Sequence, residues 1–323
     1  MKIALLGFGK AGRQIFKDLV LSELVTSILV FDPNLIDTTE INDEQRLKTE
    51  FYRDVFRFEQ SVDLVIIASP DNLHTDYLVR CIKLGIPTFV EKPFVGSETE
   101  FQYVTELLSS NPNYKTTCNL VLRTSPLFST LRKEFSDGTF GARIFVEGKY
   151  LYGRWSKVSE GWRGYKDYSV ILGGLIHLVD ISCYITGNFN HTVSIQSQRL
   201  TSKEPEAVID FAQLSMSSEQ TGFFSLTTNF SANVEHRRDI SIYGDLSWVE
   251  VKGQKVDWHS NQKGKLEGLS PAPDAKKTLI SEFIKYLSGM NYEENLIPNL
   301  EEIFKVLQLC FGKRTDSINN RSF

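Results

Sequence analysis

Six residues near the start of the chain have the types and spacing of a phosphate-binding turn. They are Gly7, Phe8, Gly9, Lys10, Ala11 and Gly12, a full GxGxxG pattern between a short apolar run and a segment with helical spacing. In such a turn the first glycine permits the tight bend and the second lets the backbone approach a pyrophosphate. The third lets the helix pack closely on the strand, and the helix N-terminus presents N–H groups to the phosphates. The pattern predicts that residues 7–12 bind a dinucleotide.

A single acidic residue indicates which dinucleotide to expect. Asp32 ends the second apolar run, SILVFD, 20 residues after Gly12. A carboxylate there can accept hydrogen bonds from the hydroxyls of the adenosine ribose, and it repels a 2′-phosphate. No Lys or Arg occurs among residues 33–36. We therefore expect NAD(H) rather than NADP(H).

Two further polar segments follow apolar runs that we predict to be strands. In an open α/β sheet, ligands bind outside the carboxyl ends of the strands, so both segments are candidates for the same site. The candidate cofactor-binding residues in them are Ser69, Pro70, Asn72 and His74 in SPDNLH, and Glu91, Lys92 and Pro93 in EKP.

A fourth group lies in the second half of the chain, on a predicted helix within residues 171–187. His177 and Asp180 are three residues apart and project from one face of that helix. Histidine titrates near neutral pH, so the imidazole can take a hydroxyl proton as a hydride leaves. Asp180 could orient the ring or bind a substrate hydroxyl. The alternative is that His177 is a buried core histidine and Asp180 its partner.

The elements that must position these residues change character along the chain. Up to about residue 120, continuous apolar runs alternate with amphipathic helical segments, which is typical of a parallel sheet covered on both faces. From about residue 140, strand-like runs alternate apolar and polar residues, as in an antiparallel sheet with one exposed face. Residues 253–275 read as a polar loop. We predict an α/β chain with a Rossmann dinucleotide-binding domain over 1–120. We expect an α+β domain with an open, mostly antiparallel sheet over 121–323, for substrate binding and oligomerisation.

Composition limits the class of protein. The chain has 323 residues, with 36 Lys and Arg against 40 Asp and Glu, and this balance argues against an electrostatic nucleic-acid binder. No apolar run approaches the ~20 residues that span a bilayer, and MKIALLGFGKAG lacks the cleavage pattern of a signal peptide. Four scattered cysteines, without a CxxC or zinc spacing, favour buried thiols in the cytoplasm. We expect no metal site, no nucleic-acid partner and no membrane partner.

Taken in order, the motifs resemble the Gfo/Idh/MocA family of glucose–fructose oxidoreductase and inositol dehydrogenase. The similarity covers essentially the whole chain. The segments that carry it are GFGKAG at 7–12, SPDNLH at 69–74, EKP at 91–93, Arg123 in CNLVLRTSP, Trp162-Arg163, GGLIHLVD at 173–180, SEFIKYLSG and LEEIFKVLQLC.

The resemblance implies roles for individual residues. Lys92 would lie near the nicotinamide and the reacting carbon, where a partly desolvated lysine can hold or share a proton, and the Lys92–Pro93 bond would be cis. His177 would be the second catalytic residue. The substrate-binding candidates are Asp180, Arg123, Trp162, Arg163, Asn119 and Tyr152. The family often carries an acidic residue four positions before the histidine, and here that position is Gly173.

These features imply an NAD(H)-dependent oxidoreductase that moves a hydride to or from a secondary alcohol carbon of a sugar, nucleotide sugar or polyol. Two alternatives stay open. Because Gly173 removes an acid/base candidate, the chain could be an NAD-bound sensor or scaffold without turnover. It could also use NAD transiently in an elimination or hydrolysis with no net redox change. The resemblance also implies a homodimer or homotetramer.

Overall fold

The computed structural model describes residues 1–34, 41–54, 61–153, 155–160, 168–202, 209–260, 266, 268–273 and 278–313. The chain divides into two compact units. The first comprises Met1–Asn119 and Lys276–Ile303, and the second comprises Leu120–Ala275 and the part that begins at Phe304. Candidate residues of the glycine turn and the two strand-end segments belong to the first unit, whereas His177 and Asp180 belong to the second.

Strands and helices are numbered in chain order. The strands are β1 (Lys2–Leu6), β2 (Ser27–Phe31), β3 (Thr49–Tyr52), β4 (Leu64–Ile67), β5 (Thr88–Val90), β6 (Thr116–Cys118), β7 (Ile144–Leu151), β8 (Thr192–Gln198), β9 (Phe211–Ser218), β10 (Gly222–Asn229), β11 (Arg237–Gly244), β12 (Ser247–Lys252) and β13 (Lys255–Ser260). The helices are α1 (Lys10–Leu21), α2 (Asp43–Leu47), α3 (His74–Leu84), α4 (Glu98–Ser109), α5 (Pro126–Ser136), α6 (Ser156–Ser159), α7 (Ile176–Thr186), α8 (Leu279–Leu287) and α9 (Leu300–Cys310).

The sheet of the first unit is parallel, in the order β3-β2-β1-β4-β5-β6. This is the order of a dinucleotide-binding Rossmann sheet, with the switch between β1 and β4. In register, Leu6 of β1 is paired with Phe31 of β2 and with Ile67 of β4. The three strands therefore end together, and the residues that follow them share one edge of the sheet. The predicted parallel α/β domain is confirmed.

The C-terminal part of the sequence contributes to this first unit. Leu279, Ile280, Phe283 and Ile284 of α8 are buried in the same core cluster as the apolar residues of β1, β2 and α1. The predicted boundary, which gave all of 121–323 to the second domain, therefore differs from the structure at Lys276–Ile303. The physical reason is the apolar face of α8, which completes the core of the first unit.

The second unit contains a seven-stranded sheet in the order β13-β12-β11-β7-β10-β9-β8. All its neighbours are antiparallel except β7 and β10, which run parallel, so the expected mostly antiparallel sheet is confirmed. Alternate residues of β7 are buried, and α7 is buried along Ile176–Ile185. A helix that is apolar all round is buried all round, and α7 packs against both the sheet and α5.

One loop prediction was wrong in part. Lys255–Ser260, inside the expected polar loop 253–275, forms β13 and pairs with β12. The chain reverses at Gly253, whose φ is +61°, so β12 and β13 form a hairpin. Val256 and Trp258 then alternate with polar residues, as they do in a strand with two different faces.

All four cysteines are buried thiols, as predicted. In the described part of the chain, no helix has the length and apolar character needed to cross a lipid bilayer. The same residues contain no group of three or more His, Cys, Asp and Glu side chains arranged to hold a metal ion.

Candidate functional site

The glycine turn follows β1 and leads into α1. Gly7 has a φ of +98°, and a Cβ on it would lie 2.5 Å from the carbonyl oxygen of Ala68. A Cβ on Gly12 would overlap the carbonyl group of Gly7. These two glycines are therefore required to close the turn. Gly9 is different, because a Cβ there would meet nothing within 4 Å among the described residues.

The open side of Gly9 lies at the N-terminus of α1. Gly9 is the N-cap residue, and within the described chain no side chain caps this helix. Gly9, Lys10 and Ala11 are exposed, and the first N–H groups of a helix have no partner within the helix. Phe8 is buried, and its ring contacts those of Phe16 and Phe51 at 5.3 and 5.7 Å. The turn therefore offers backbone groups to a ligand, while the Phe8 side chain belongs to the core.

Asp32 is held beside this turn by two backbone groups. The N–H of Phe8 donates to Oδ2 at 2.6 Å, and the N–H of Asn34 donates to Oδ1 at 2.8 Å. A carboxylate oxygen has two lone pairs, so each can accept a further hydrogen bond from a ribose hydroxyl. The same charge disfavours a 2′-phosphate.

The segment after β4 contains a buried histidine that connects two loops. His74 has no exposed surface, its Nδ1 lies 2.7 Å from the carbonyl oxygen of Pro93, and its Nε2 lies 2.9 Å from that of Ser69. Both ring nitrogens are thus used inside the protein. We therefore correct the expectation that His74 contacts the cofactor: it holds the two strand-end loops at a fixed distance.

The remaining residues of this segment differ in exposure. Asn72 is exposed and Pro70 is half-buried. The hydroxyl of Ser69 is buried, and within the described residues it has no hydrogen-bond partner. A buried hydroxyl without a partner is uncommon and calls for a ligand or water. Together with the open side of Gly9 and the spare lone pairs of Asp32, it fits a dinucleotide at this edge.

The EKP segment follows β5 at the same edge of the sheet. The Lys92–Pro93 peptide is cis, as expected, and Lys92 is half-buried. Glu91 accepts a hydrogen bond from Nδ2 of Asn119 at 2.6 Å. Burial raises the pKa of Glu91, and the hydrogen bond from Asn119 and the positive charge of Lys92 oppose that rise. Asn119, expected to bind substrate, instead pairs with Glu91.

A buried ion pair dominates the interior of the second unit. Arg123 donates from Nη2 and Nε to Oδ1 of Asp180 at 2.6 and 3.0 Å, and from Nε to Oδ2 at 3.2 Å. The two side chains expose 0% and 1% of their surface. The expectation that Arg123 and Asp180 contact substrate does not agree with this placement, since each uses its charge on the other. The pair joins α7 to the 3₁₀ turn Val121–Thr124.

His177 borders a group of aromatic rings. We call the aromatic cluster the rings of Tyr150, Tyr152, Tyr168, His177, Phe230 and His236. Tyr150 stacks on His177 with ring centroids 6.1 Å apart, and its hydroxyl lies 3.2 Å from Nε2 of His236. Tyr152 stacks on Phe230 at 4.5 Å. Tyr150, His177 and Phe230 are buried, whereas Tyr152, Tyr168 and His236 are half-buried. An apolar ring face suits the C–H face of a sugar or polyol, and in this cluster the half-buried rings are the ones that could offer it.

Several members of the aromatic cluster escaped the sequence analysis. The sequence does not single out Tyr150, Tyr168, Phe230 or His236 as site residues. The alternation along β7 could have placed Tyr150 on the buried face. Nothing local in the sequence indicates the contacts of Tyr168 or Phe230, because they come from segments far apart in the chain. Trp162 and Arg163, both predicted to bind substrate, lie outside the described residues.

Comparisons with known proteins agree with this architecture. Residues 1–116 match the family model described as "Oxidoreductase family, NAD-binding Rossmann fold", and residues 128–250 match "GFO/IDH/MocA C-terminal domain". Inositol 2-dehydrogenase of Rubrobacter xylanophilus is 22% identical over 209 residues, which are 64% of this chain. The match spans 58% of that enzyme, and 44% of the inositol 2-dehydrogenase of Corynebacterium glutamicum. The chain thus spans less than two thirds of these relatives.

Solved structures share the fold over almost the whole chain. The WlbA dehydrogenase from Chromobacterium violaceum, in complex with NADH and UDP-GlcNAcA, has a TM-score of 0.78 at 16% identity and covers 97% of this chain and 92% of that one. The myo-inositol dehydrogenase from Lactobacillus casei, in complex with NAD(H) and myo-inositol, has a TM-score of 0.71 at 14% identity, with 97% and 93% covered. At such identities the likeness establishes the fold alone.

Proposed function

Because the chain belongs to the GFO/IDH/MocA oxidoreductase family, whose matching N-terminal domain is an NAD-binding Rossmann domain, we propose that it is an NAD(H)-dependent dehydrogenase. Its substrate would be a cyclic polyol or sugar, oxidised or reduced at a secondary alcohol carbon. The observation that carries the proposal is the geometry around Gly9. The backbone is open to a ligand there, and the Asp32 carboxylate is fixed beside it by the N–H of Phe8.

In the proposed reaction, one group of residues binds NAD and another group handles the proton of the reacting hydroxyl. Bound NAD supplies the carbon that accepts or donates the hydride. Residues 7–12 bind the pyrophosphate, Asp32 binds the adenosine ribose, and the hydroxyl of Ser69 is free to bind the same ligand. Lys92 holds a proton for the reacting oxygen, and His177 takes or returns the hydroxyl proton. The inositol 2-dehydrogenase relatives support a polyol as substrate.

A turnover screen with a matched pair of variants tests this proposal. The full chain is incubated with NAD⁺ and a panel of inositols, hexoses, uronic acids and nucleotide sugars, and the absorbance of NADH is followed. Lys92→Met should lower kcat by ~100-fold or more, the scale of a lost acid/base group. Lys83→Met, at an exposed lysine of α3, should leave kcat unchanged.

The alternatives give different results in the same screen. Protein that binds NADH but transfers no hydride to or from any compound would be a sensor or scaffold. A product without net oxidation, formed only when cofactor is bound, would indicate transient use of NAD in an elimination or hydrolysis. Normal turnover by Lys92→Met would remove Lys92 from the mechanism.

A second candidate is a substrate that carries a carboxylate or phosphate, such as a uronic acid. Arg238 lines a cavity of about 580 Å³ together with His236 of the aromatic cluster. Burial lowers the pKa of this guanidinium, and among the described residues no carboxylate is paired with it. The neighbouring Arg237, in contrast, pairs with Asp239 at 3.0 Å. A half-buried cation without an anion favours an anionic ligand.

The variant Arg238→Gln separates the two substrate classes. For an acidic sugar its KM should rise about tenfold, the effect of one lost charge-assisted hydrogen bond, with no change for a neutral polyol. Arg237→Gln is the matched control. An equal change in KM for both substrate classes would contradict an anion contact at Arg238.

The exposed face of the second sheet supports a homodimer or homotetramer. Phe145 and Phe223, 41% and 45% exposed, stack at 6.1 Å on the outer face of β7 and β10, and Tyr243 extends the row. Exposed aromatic rows of this kind mark protein interfaces. Sedimentation should give an oligomer for the wild type and a smaller species for Phe145→Glu.

The four buried thiols support a cytoplasmic location.

A further inference from the structure

The bare backbone at Gly173 is covered by the side chain of a tyrosine. A Cβ built on Gly173 would overlap the hydroxyl oxygen of Tyr168 and would lie 2.7 Å from its Cζ. Cβ atoms are essentially never found that close to other heavy atoms. A side chain at residue 173 therefore requires the phenol of Tyr168 to move from this position. Here the phenol of Tyr168 occupies the space that a side chain at residue 173 of the helix would need.

This place is one turn before His177. Gly173 lies in the π-helical turn Ile171–Leu175, which runs directly into α7. Residues four apart on a helix share a face, so position 173 and His177 face the same way. Such π turns within helices are frequent at functional sites, which agrees with a site on this face.

The ring of Tyr168 also belongs to the aromatic cluster. It packs edge-on against Phe230 at 6.2 Å, Phe230 stacks on Tyr150 at 5.9 Å, and Tyr150 stacks on His177 at 6.1 Å. Tyr168 and His177 therefore border one continuous set of rings. Tyr168 is only half-buried, and a phenol can both donate and accept a hydrogen bond.

We propose that Tyr168 is a substrate-binding residue: its hydroxyl binds a substrate hydroxyl adjacent to the one whose proton His177 takes. This inference rests on the proposed function and names one more group of the same site. A neutral phenol supplies one hydrogen bond and adds no negative charge near the histidine. Gly173 has no side chain and therefore leaves room for this phenol. His177 is the proton-transfer group on the same face of the helix.

The first test removes only the hydroxyl. Tyr168→Phe keeps the ring and its packing on Phe230, so the melting temperature and the affinity for NADH should not change. KM for the polyol should rise roughly 3- to 10-fold, the effect of one neutral hydrogen bond, with a smaller change in kcat. Tyr103→Phe, at a tyrosine of α4 that is 47% exposed, is the control.

The second test exchanges the two positions and needs no substrate. Gly173→Asp should lower the melting temperature slightly, because its Cβ displaces the phenol of Tyr168. Gly173→Asp combined with Tyr168→Ala should recover much of that loss, since alanine vacates the space. Tyr168→Phe should not rescue it, because Cζ remains 2.7 Å from the new Cβ.

The outcomes separate this inference from the proposed function. Wild-type protein that transfers no hydride overturns the proposed function and the inference with it. Wild-type turnover with an unchanged KM in Tyr168→Phe overturns the inference alone. Gly173→Asp that keeps both the melting temperature and the KM of the wild type, with Tyr168 present, also overturns it, because displacing the phenol from residue 173 would then not affect substrate binding.

Discussion

The two units differ in whether the residues of the sequence motifs make the contacts that were predicted for them. In the first unit, the glycine turn and Asp32 lie side by side at one edge of the sheet. In the second unit, Asp180 pairs with Arg123 in the interior, and His177 lies against aromatic rings. The glycine turn and Asp32 thus lie at the predicted cofactor edge, whereas the predicted substrate residues of the second unit make contacts with elements that are distant in sequence.

The difference has a physical origin. The turn at residues 7–12 is defined by backbone space and by a positive φ, which the local sequence specifies directly. The register of the parallel strands then places Asp32 beside the turn, so its position follows from the order and length of the neighbouring strands. A helix specifies only which face a side chain lies on, so the partners of His177 and Asp180 depend on elements that are distant in sequence.

The largest effect is expected from breaking the buried pair of the second unit. Asp180→Ala removes the carboxylate that is paired with the buried Arg123 guanidinium, and the free energy of unfolding should fall by about 3–5 kcal/mol in urea titrations. The double variant Arg123→Met with Asp180→Leu removes both charges and should recover most of the loss. A fall of less than about 1 kcal/mol in the single variant would contradict a structural role for the pair.

Two glycines of the first unit should separate folding from binding. Gly12→Ala places a Cβ against the carbonyl of Gly7, so the free energy of unfolding should fall by about 1–3 kcal/mol. Gly9→Ala enters open space at a φ of −70°, so the protein should fold normally. Its affinity for NADH, measured by calorimetry, should nevertheless fall about tenfold or more, because the methyl group obstructs the pyrophosphate. Equal NADH affinity in Gly9→Ala and wild type would disprove close backbone contact.

The smallest effect is expected from Glu91. Burial raises its pKa above 4.5 in the folded protein, so the folded state holds this proton more tightly than the unfolded chain. The contribution of Glu91 to the free energy of unfolding therefore declines as pH rises from 4.5 through the raised pKa. Glu91→Gln removes that decline, so the variant should gain stability relative to the wild type over this range. Urea titrations at several pH values that give parallel curves would contradict the shift.

The sequence was sufficient for the parts of the fold that follow from periodicity. Strands β1, β2, β4, β5 and β6, helices α1, α3 and α4, and the antiparallel character of the second sheet were predictable from apolar spacing. Strand β3 was not, because none of its residues is fully buried and it has no apolar run. The position of α8 in the first unit was not, since an apolar helix face does not indicate which core it joins. Strand β13 was missed because its polar residues resemble those of a loop.

The candidate site was predictable to a similar depth. Residues 7–12, proposed to bind through their backbone, and the carboxylate of Asp32 could be identified from local spacing alone. His74 and Asn119 have the right position but use their polar atoms within the protein. The contact of Tyr168 with Gly173 could not be predicted, because a glycine gives no sign of what occupies the space beside it.

Thermal unfolding of the full chain with NADH, with NADPH and without nucleotide tests whether the glycine turn and Asp32 bind NAD(H). A ligand that binds only the folded state at 100 times its Kd adds about 2.7 kcal/mol to the free energy of unfolding. We expect a clear rise in melting temperature with NADH, a smaller one with NADPH because of Asp32, and a reduced NADH effect in Gly9→Ala. A larger rise with NADPH would contradict the role of Asp32. No rise with either nucleotide, in protein shown to carry none already, would contradict the cofactor site itself.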